Sequence, residues 1–380
     1  MVVARAVLAL SAALIVGCDG PPLPAPEAGL APRATLEPIH TIGDDETADP
    51  MYLFGWLRSA TLAPDGAVVV ADGQAQQVRL YDREGRFSHL LAREGEGPGE
   101  VQRVSAVRYL GGDTVAIYDI RWPRLTLVSL EGEVHASLEV NYVRGRQLAD
   151  GFVGRSSGGW WVFTGSTFGP NGSRDTAHHY RWRDTATPLE PVLELPSTHR
   201  FLRAGDDRMG GGRPHPLAAT VQRALVDDSL FATDGVDSVV VVPLDGSVGR
   251  SFALPSRGEV EVDEALDAIE RYRTSEGEPT NYDEVPLLDR VPRVDALMSD
   301  DQGRLWFQWY EAEHDSSWGS GRVGGEWVVT SLDGEPLFEV AFPEGLHPLE
   351  VRGDRLLGRF VSPLGVESVA VYRLRLPPPP

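Results

Sequence analysis

Cysteine and lysine are what this chain most conspicuously lacks. Its 380 residues hold one cysteine, Cys18, and no lysine. A lone cysteine excludes internal disulfides, and a cysteine lodged in a leader excludes a thiol nucleophile in the folded domain. Without lysine, every permanent positive charge is an arginine guanidinium, a planar fork matched to carboxylate and phosphate groups. Positive charge is also outnumbered: 35 basic against 56 acidic residues leave a formal net charge of −21. Such a surface repels nucleic acid and anionic headgroups. The acidity is spread along the chain, as on a solvated surface. No HExxH, GxSxG or EF-hand pattern occurs, and no motif calls for a cofactor.

The apolar stretch at residues 6–17 is about 12 residues long, too short to span a bilayer and of the length of a secretory leader core. Arg5 precedes it, and Ile15-Val16-Gly17-Cys18 closes it. Those four residues resemble the bacterial lipobox, which implies cleavage before Cys18 and lipidation of that residue. Two acyl chains on one cysteine are enough for stable anchoring. The alternatives are an ordinary leader with a chance cysteine and a short uncleaved anchor. Residues 1–17 are therefore expected to be a signal peptide. Residues 18–34, rich in Pro and Ala, are expected to be the lipidated cysteine and a stiff tether, and residues 377–380 a disordered tail. The implied setting is the bacterial envelope, with the domain outside the cytoplasm and membrane contact through the anchor alone.

Self-similarity sets the fold of residues 35–376. The stretch LRSATLAPDGAVVVADGQAQQVRLYDREGRFSHLLA (57–92) and the stretch VSAVRYLGGDTVAIYDIRWPRLTLVSLEGEVHASLEV (104–140) each hold four short β-rich runs. Asp-Gly and Gly-Asp pairs between apolar runs are hairpin signals. The pattern returns at 217–254 and 294–342, and more loosely at 144–195; residues 347–376 hold only three runs. Four-stranded units at a spacing of about 40–50 residues predict propeller blades. Five full units and one split unit predict an all-β, six-bladed β-propeller whose last blade takes residues 37–42 (EPIHTI) as its fourth strand. A β-sandwich is the alternative, but it lacks the regular blade spacing. A short amphipathic helix is expected at 261–274.

After the first full unit comes REGEGPGE (93–100). With the lipobox and the blade pattern, it resembles the GxGPGEF run of bacterial six-bladed β-propeller lipoproteins, relatives of the NHL-repeat propellers, with Val101 in place of the usual Phe. Asp119 and Arg124 match the Asp and Arg spacing of NHL blades, whereas Asp72 meets Gln77 and Asp234 has no such Arg. The glycine spacing mimics a phosphate cradle, but a strand follows it instead of a helix N-terminus, so it reads as a turn between blades.

With strands labelled A to D from the channel outward, the A–B and C–D turns are tight. The long segments are D–A and B–C connections, which open on the other face. Insertions confined to one face often mark the binding face of a repeat protein. Candidate binding residues there begin the A strands: Arg58, Arg103, Arg146, His215, Arg293, Asp295 and His347. Tyr310 and Trp318 join them from the B–C side, and the Gly-rich loop 209–213 lies among the insertions. Arginines offer bidentate anchors for an anionic group; Asp72, Asp119 and Asp234 instead read as caps on neighbouring backbone. His215, Asp234, Asp295 and His347 converge on a metal only if blades four to six cooperate, and His178 and His179 point to opposite faces of a strand. The expected role is a binding module for a partner protein or a small extracytoplasmic ligand, with no metal. A channel-metal hydrolase of the lactonase type and a purely structural envelope component are the alternatives.

Overall fold

The computed structural model describes residues 31–43, 49–140, 149–168, 174–196, 200–201, 213–214, 221–258, 261–275, 290–311, 324–362 and 366–377. Six antiparallel sheets of at least four strands surround a central channel. Blade 1 runs Leu57–Leu62, Val68–Asp72, Gln77–Tyr81 and Phe87–Glu94, with Glu100–Val101 added in parallel at its edge. Blade 2 runs Val104–Gly111, Thr114–Asp119, Arg124–Ser129 and Val134–Glu139. Blade 3 runs Ala149–Arg155, Trp161–Phe168, Arg174–Trp182 and Glu190–Pro196. Blade 4 runs Gln222–Val226, Ser229–Thr233, Ser238–Pro243 and Arg250–Ala253, and blade 5 runs Val294–Ser299, Leu305–Trp309, Gly325–Thr330 and Pro336–Phe342. Blade 6 takes Leu346–Arg352, Arg355–Val361 and Glu367–Arg375 from the C-terminal part of the chain. Its outer strand is Thr35–Ile42.

The closing strand pairs from Thr35 opposite Arg375 to Ile42 opposite Val369, with one irregularity between Pro38 and His40. Just before it, Ala34 donates to Glu339 O (2.8 Å) and Arg33 pairs with Glu326 (2.9 Å), so the same segment also fastens to blade 5. Pro38 is tolerated because the strand is an edge, where a missing N–H breaks no ladder.

Apolar side chains fill the space between blades as the strand alternation demands. Ile42, Tyr81, Val70, Leu357 and Val371 form one such cluster between blades 6 and 1. Trp306 and Trp327 are fully buried with Phe338, Phe342 and Leu356 between blades 5 and 6, so these two indoles are core. Between blades 3 and 4 the fully buried cluster shrinks to Val162, Leu230 and Leu244.

The helix forms at Val262–Ser275. Ala265 is fully buried, with Val262 and Leu266 packed beside it against Val291 and Tyr310. The helix therefore packs onto the B–C side of blade 5 and the D–A segment leading into it. Among the described residues no helix is long and apolar enough to cross a membrane.

Candidate functional site

The geometry of the long-loop face follows from where A strands start. Arg58 is the second residue of its strand, Arg103 immediately precedes Val104, and Arg293 immediately precedes Val294. Neighbouring A strands lie side by side around the channel, so Arg58 and Arg103 come close enough to repel. Burial, and then the charge of Arg103, lower the Arg58 pKa below its ordinary value. Arg58 lies over the Trp56 ring at 4.2 Å, and neither arginine forms an ion pair among the described residues. Trp56 is 47% exposed. In the B–C turn of blade 2, Trp122 is 56% exposed, and its Nε1 donates to Gln102 Oε1 (2.9 Å), next to Arg103. Leu53, also exposed, borders the same region.

The aspartates at the strand ends of this face are bound to their own backbone. Asp119 accepts N–H groups of Gln102 (2.7 Å), Arg103 (3.3 Å) and Arg121 (2.8 Å). Asp72 accepts from Gln74 and Ala75 and pairs with Arg79 at 3.2 Å, both side chains almost wholly buried. Asp234 accepts from Val236 N–H (3.0 Å). These aspartates cap strand ends.

A second cleft, of about 280 Å³, lies under the helix and takes in Arg293, Tyr310, Trp309 and Glu261. Two cations of this cleft pair with acids: Arg257 with Glu339 (3.2 Å), while stacking over Trp309 (4.7 Å), and Arg290 with Asp237. His347 is buried at the start of the blade 6 A strand, and Asp295 is half-buried in blade 5. The structure thus brings Arg58 to Arg103 and Arg293 to Tyr310, but it does not gather all six described candidates into one ring. Cys18, Arg146, His215 and Trp318, residues 209–212 of the Gly-rich loop and residues 378–380 of the tail lie outside the described residues. Trp56 and Trp122 were not singled out in the sequence; the signal was their position beside strand ends on the same face as Arg58 and Arg103.

No three His, Asp or Glu groups converge as metal ligands among the described residues. His178 pairs with Glu194 (3.1 Å), while His179 is buried on the other side of the strand. The glycine-rich turn keeps its own counter-ion. Gly97 N–H donates to Glu100 Oε2 (2.9 Å), Arg93 pairs with the same carboxylate (3.2 Å), and Arg124 donates to Glu100 O (2.6 Å). On the opposite, tight-turn face the channel widens into a cavity of about 640 Å³.

Fold and cavities together define the class: a six-bladed β-propeller closed by its N-terminal strand. No family model matches the chain, and no curated protein matches it. Among solved structures it is similar to a member of the DUF4221 family from Bacteroides vulgatus, at 13% identity over 92% of this chain and 98% of that one, with a TM-score of 0.50. It is also similar to a Bacteroides fragilis protein inferred to be exported (11% identity, 90% and 95% covered, TM-score 0.48). A gluconolactonase from Xanthomonas campestris is similar at 13% identity, with 93% and 99% covered and a TM-score of 0.48. At these identities the likeness extends to the fold alone.

Proposed function

We propose that this chain is a lipid-anchored protein of the bacterial envelope whose propeller docks an acidic segment of an extracytoplasmic partner across blades 1 and 2 of the long-loop face. The observation that carries this reading is that Arg58 and Arg103 meet while neither forms an ion pair among the described residues, on a chain with 56 acidic residues. Elsewhere arginines are spent on acids, as in Arg79–Asp72, Arg257–Glu339, Arg304–Asp300 and Arg352–Glu350. Two adjacent cations cost energy that an incoming carboxylate returns. Exposed Trp56, Trp122 and Leu53 surround them, and Trp with Arg is the composition that dominates binding hot spots. The anchoring half of the proposal rests on the leader, Cys18, the Pro-rich tether and the lipoprotein-like turn at 93–101.

The test is site-specific photo-cross-linking in the producing bacterium, with labelled palmitate in the medium. A photoreactive residue replaces Trp56 or, on the opposite face, Val248. Palmitate is expected in the parent chain and absent from Cys18→Ser. A protein adduct is expected from position 56, none from 248, and Arg58→Glu with Arg103→Glu removes it. An adduct from 248 alone, none from 56, or one from 56 that survives charge reversal overturns the docking reading; absence of palmitate overturns the anchor.

A further inference from the structure

The long loops turn attention to one face, yet the larger cavity, about 640 Å³, opens on the other, where the A strands of blades 2 to 6 end in tight turns. We propose that this tight-turn mouth is a second binding site, for a small organic or inorganic oxyanion (a carboxylate or a phosphate) held by Arg108 of blade 2 and Arg155 of blade 3.

The charges of the cavity carry the argument. Glu350 is already satisfied: it accepts from the Thr61 hydroxyl (2.5 Å) and Leu62 N–H (3.1 Å) and pairs with Arg352 (2.7 Å). Asp300 is turned into blade 5, bound to Arg304 (2.6 Å) and to Trp306 Nε1 (2.8 Å). Asp301 holds Gly353 N–H (2.9 Å) at the rim. Arg108, by contrast, donates only to neutral oxygens: Val107 O (3.0 Å), Ser59 Oγ (3.3 Å) and Val153 O (3.4 Å). Arg155 lies two residues beyond Val153 on the same strand, past the bulge between Phe152 and Gly154, and lines the same cavity. It is exposed to the cavity, rests over the Trp161 ring at 4.8 Å, and forms no ion pair among the described residues. Arg223 of blade 4 also lines the cavity. The wall shared by blades 2 and 3 therefore presents positive charge that the protein's own acids do not match, and Asp227 is the acid left at the rim facing it. Burial also lowers the Arg108 pKa, with only the more distant Glu350 opposing. An oxyanion supplies Arg108 with the charged partner that its neutral acceptors do not. The volume lies within the range of small-ligand pockets, about 300–1,000 Å³.

Isothermal titration of the full chain in detergent micelles at low salt, with citrate in one arm and inorganic phosphate in the other, tests the site. At least one anion is expected to bind with a dissociation constant on the order of 1 mM or tighter. Arg155→Ala is expected to weaken it about tenfold at unchanged unfolding temperature, because one charge-assisted contact is lost. Arg108→Gln is expected to do the same; where its lost backbone contacts prevent folding, Arg155→Ala alone decides. Saturation by citrate alone assigns a carboxylate ligand, and saturation by phosphate alone assigns a phosphate. Absence of binding by either anion up to about 10 mM, a tenfold margin over the expected constant, overturns the proposal. So does binding that Arg155→Ala leaves intact, including binding that Arg58→Ala or Arg103→Ala removes.

Discussion

Single side chains in this propeller show how the fold treats charge it cannot expose. Arg79 is nearly inaccessible and is held by Asp72 (3.2 Å), by the Leu53 carbonyl (2.9 Å) and by the ring of Phe54. His179 has no such compensation. It is fully buried in blade 3, and burial, with the charge of Arg223 from blade 4 next in weight, lowers its pKa to about 3. In the unfolded chain the imidazole returns to about 6.5. Between those values the unfolded chain binds a proton that the native one refuses. Stability is therefore unaffected above the unfolded pKa and is lost as pH falls from about 6.5 toward 3, by at most about 1.4 kcal/mol per pH unit. Urea unfolding of the parent and of His179→Leu across that range measures the term. We expect the parent to lose stability relative to the variant as the solution is acidified. A difference that stays constant with pH would show that the imidazole does not charge on unfolding.

At the scale of elements, the glycine-rich turn is a conformational device. Gly99 has a φ of +77°, in the left-handed region, and a Cβ there would stand 2.8 Å from Val134 Cγ2. Gly97 has no such φ, and its Cβ would meet only the Glu100 side chain, at 3.0 Å. Gly99→Ala is expected to cost about 1–2 kcal/mol, and Gly97→Ala clearly less; denaturant midpoints of the two variants separate them, and equal midpoints would refute the assignment. This turn, the blade count and the closing strand were legible in the sequence because each depends on local chemistry: Asp-Gly hairpins, alternating apolar residues and one spare β-rich run. The helix was legible too, offset by one residue at each end, because its stripe of Val262, Ala265 and Leu266 is periodic. Arg58 beside Arg103 was legible only as two members of a ring. That they meet while Arg293 turns to a separate cleft depends on how adjacent blades pack, which no local pattern encodes. The tight-turn cavity left no trace in loop length, since short turns carry no insertion; its one signal was arginine near the ends of several A strands, at Arg108, Arg155 and Arg352.

For the molecule as a whole, stability depends on closing the ring, and the closure has two separable parts. One is the sheet itself, in which Thr35–Ile42 completes blade 6 and brings Ile42 into the core between blades 6 and 1. The other is the covalent path, because the same strand runs on toward blade 1 and so ties the last blade to the first. Beyond that tether, blades 6 and 1 are joined by their shared apolar cluster, by the bonds of Thr61 and Leu62 to Glu350, by the contact of Phe54 with Glu367 and by the hydrogen bond from Leu57 N–H to the Glu367 carboxylate. Thr35 stands opposite Arg375, so a two-residue Asn-Gly turn after Arg375 would carry residues 35–42 as the second arm of a hairpin. That permutant keeps the four-stranded sheet and gives up the tether together with the bonds of residues 32–34 to blade 5. Deleting residues 35–42 removes both. We expect the deletion to abolish cooperative thermal unfolding, since Val369, Val371 and Leu357 lose their cover. We expect the permutant to fold cooperatively at a lower temperature than the parent, the gap reporting the tether and the blade 5 contacts of residues 32–34 together. Calorimetry of the three chains resolves the order, and a deletion variant that melts at the parent's temperature would mean that the ring does not need its closing strand.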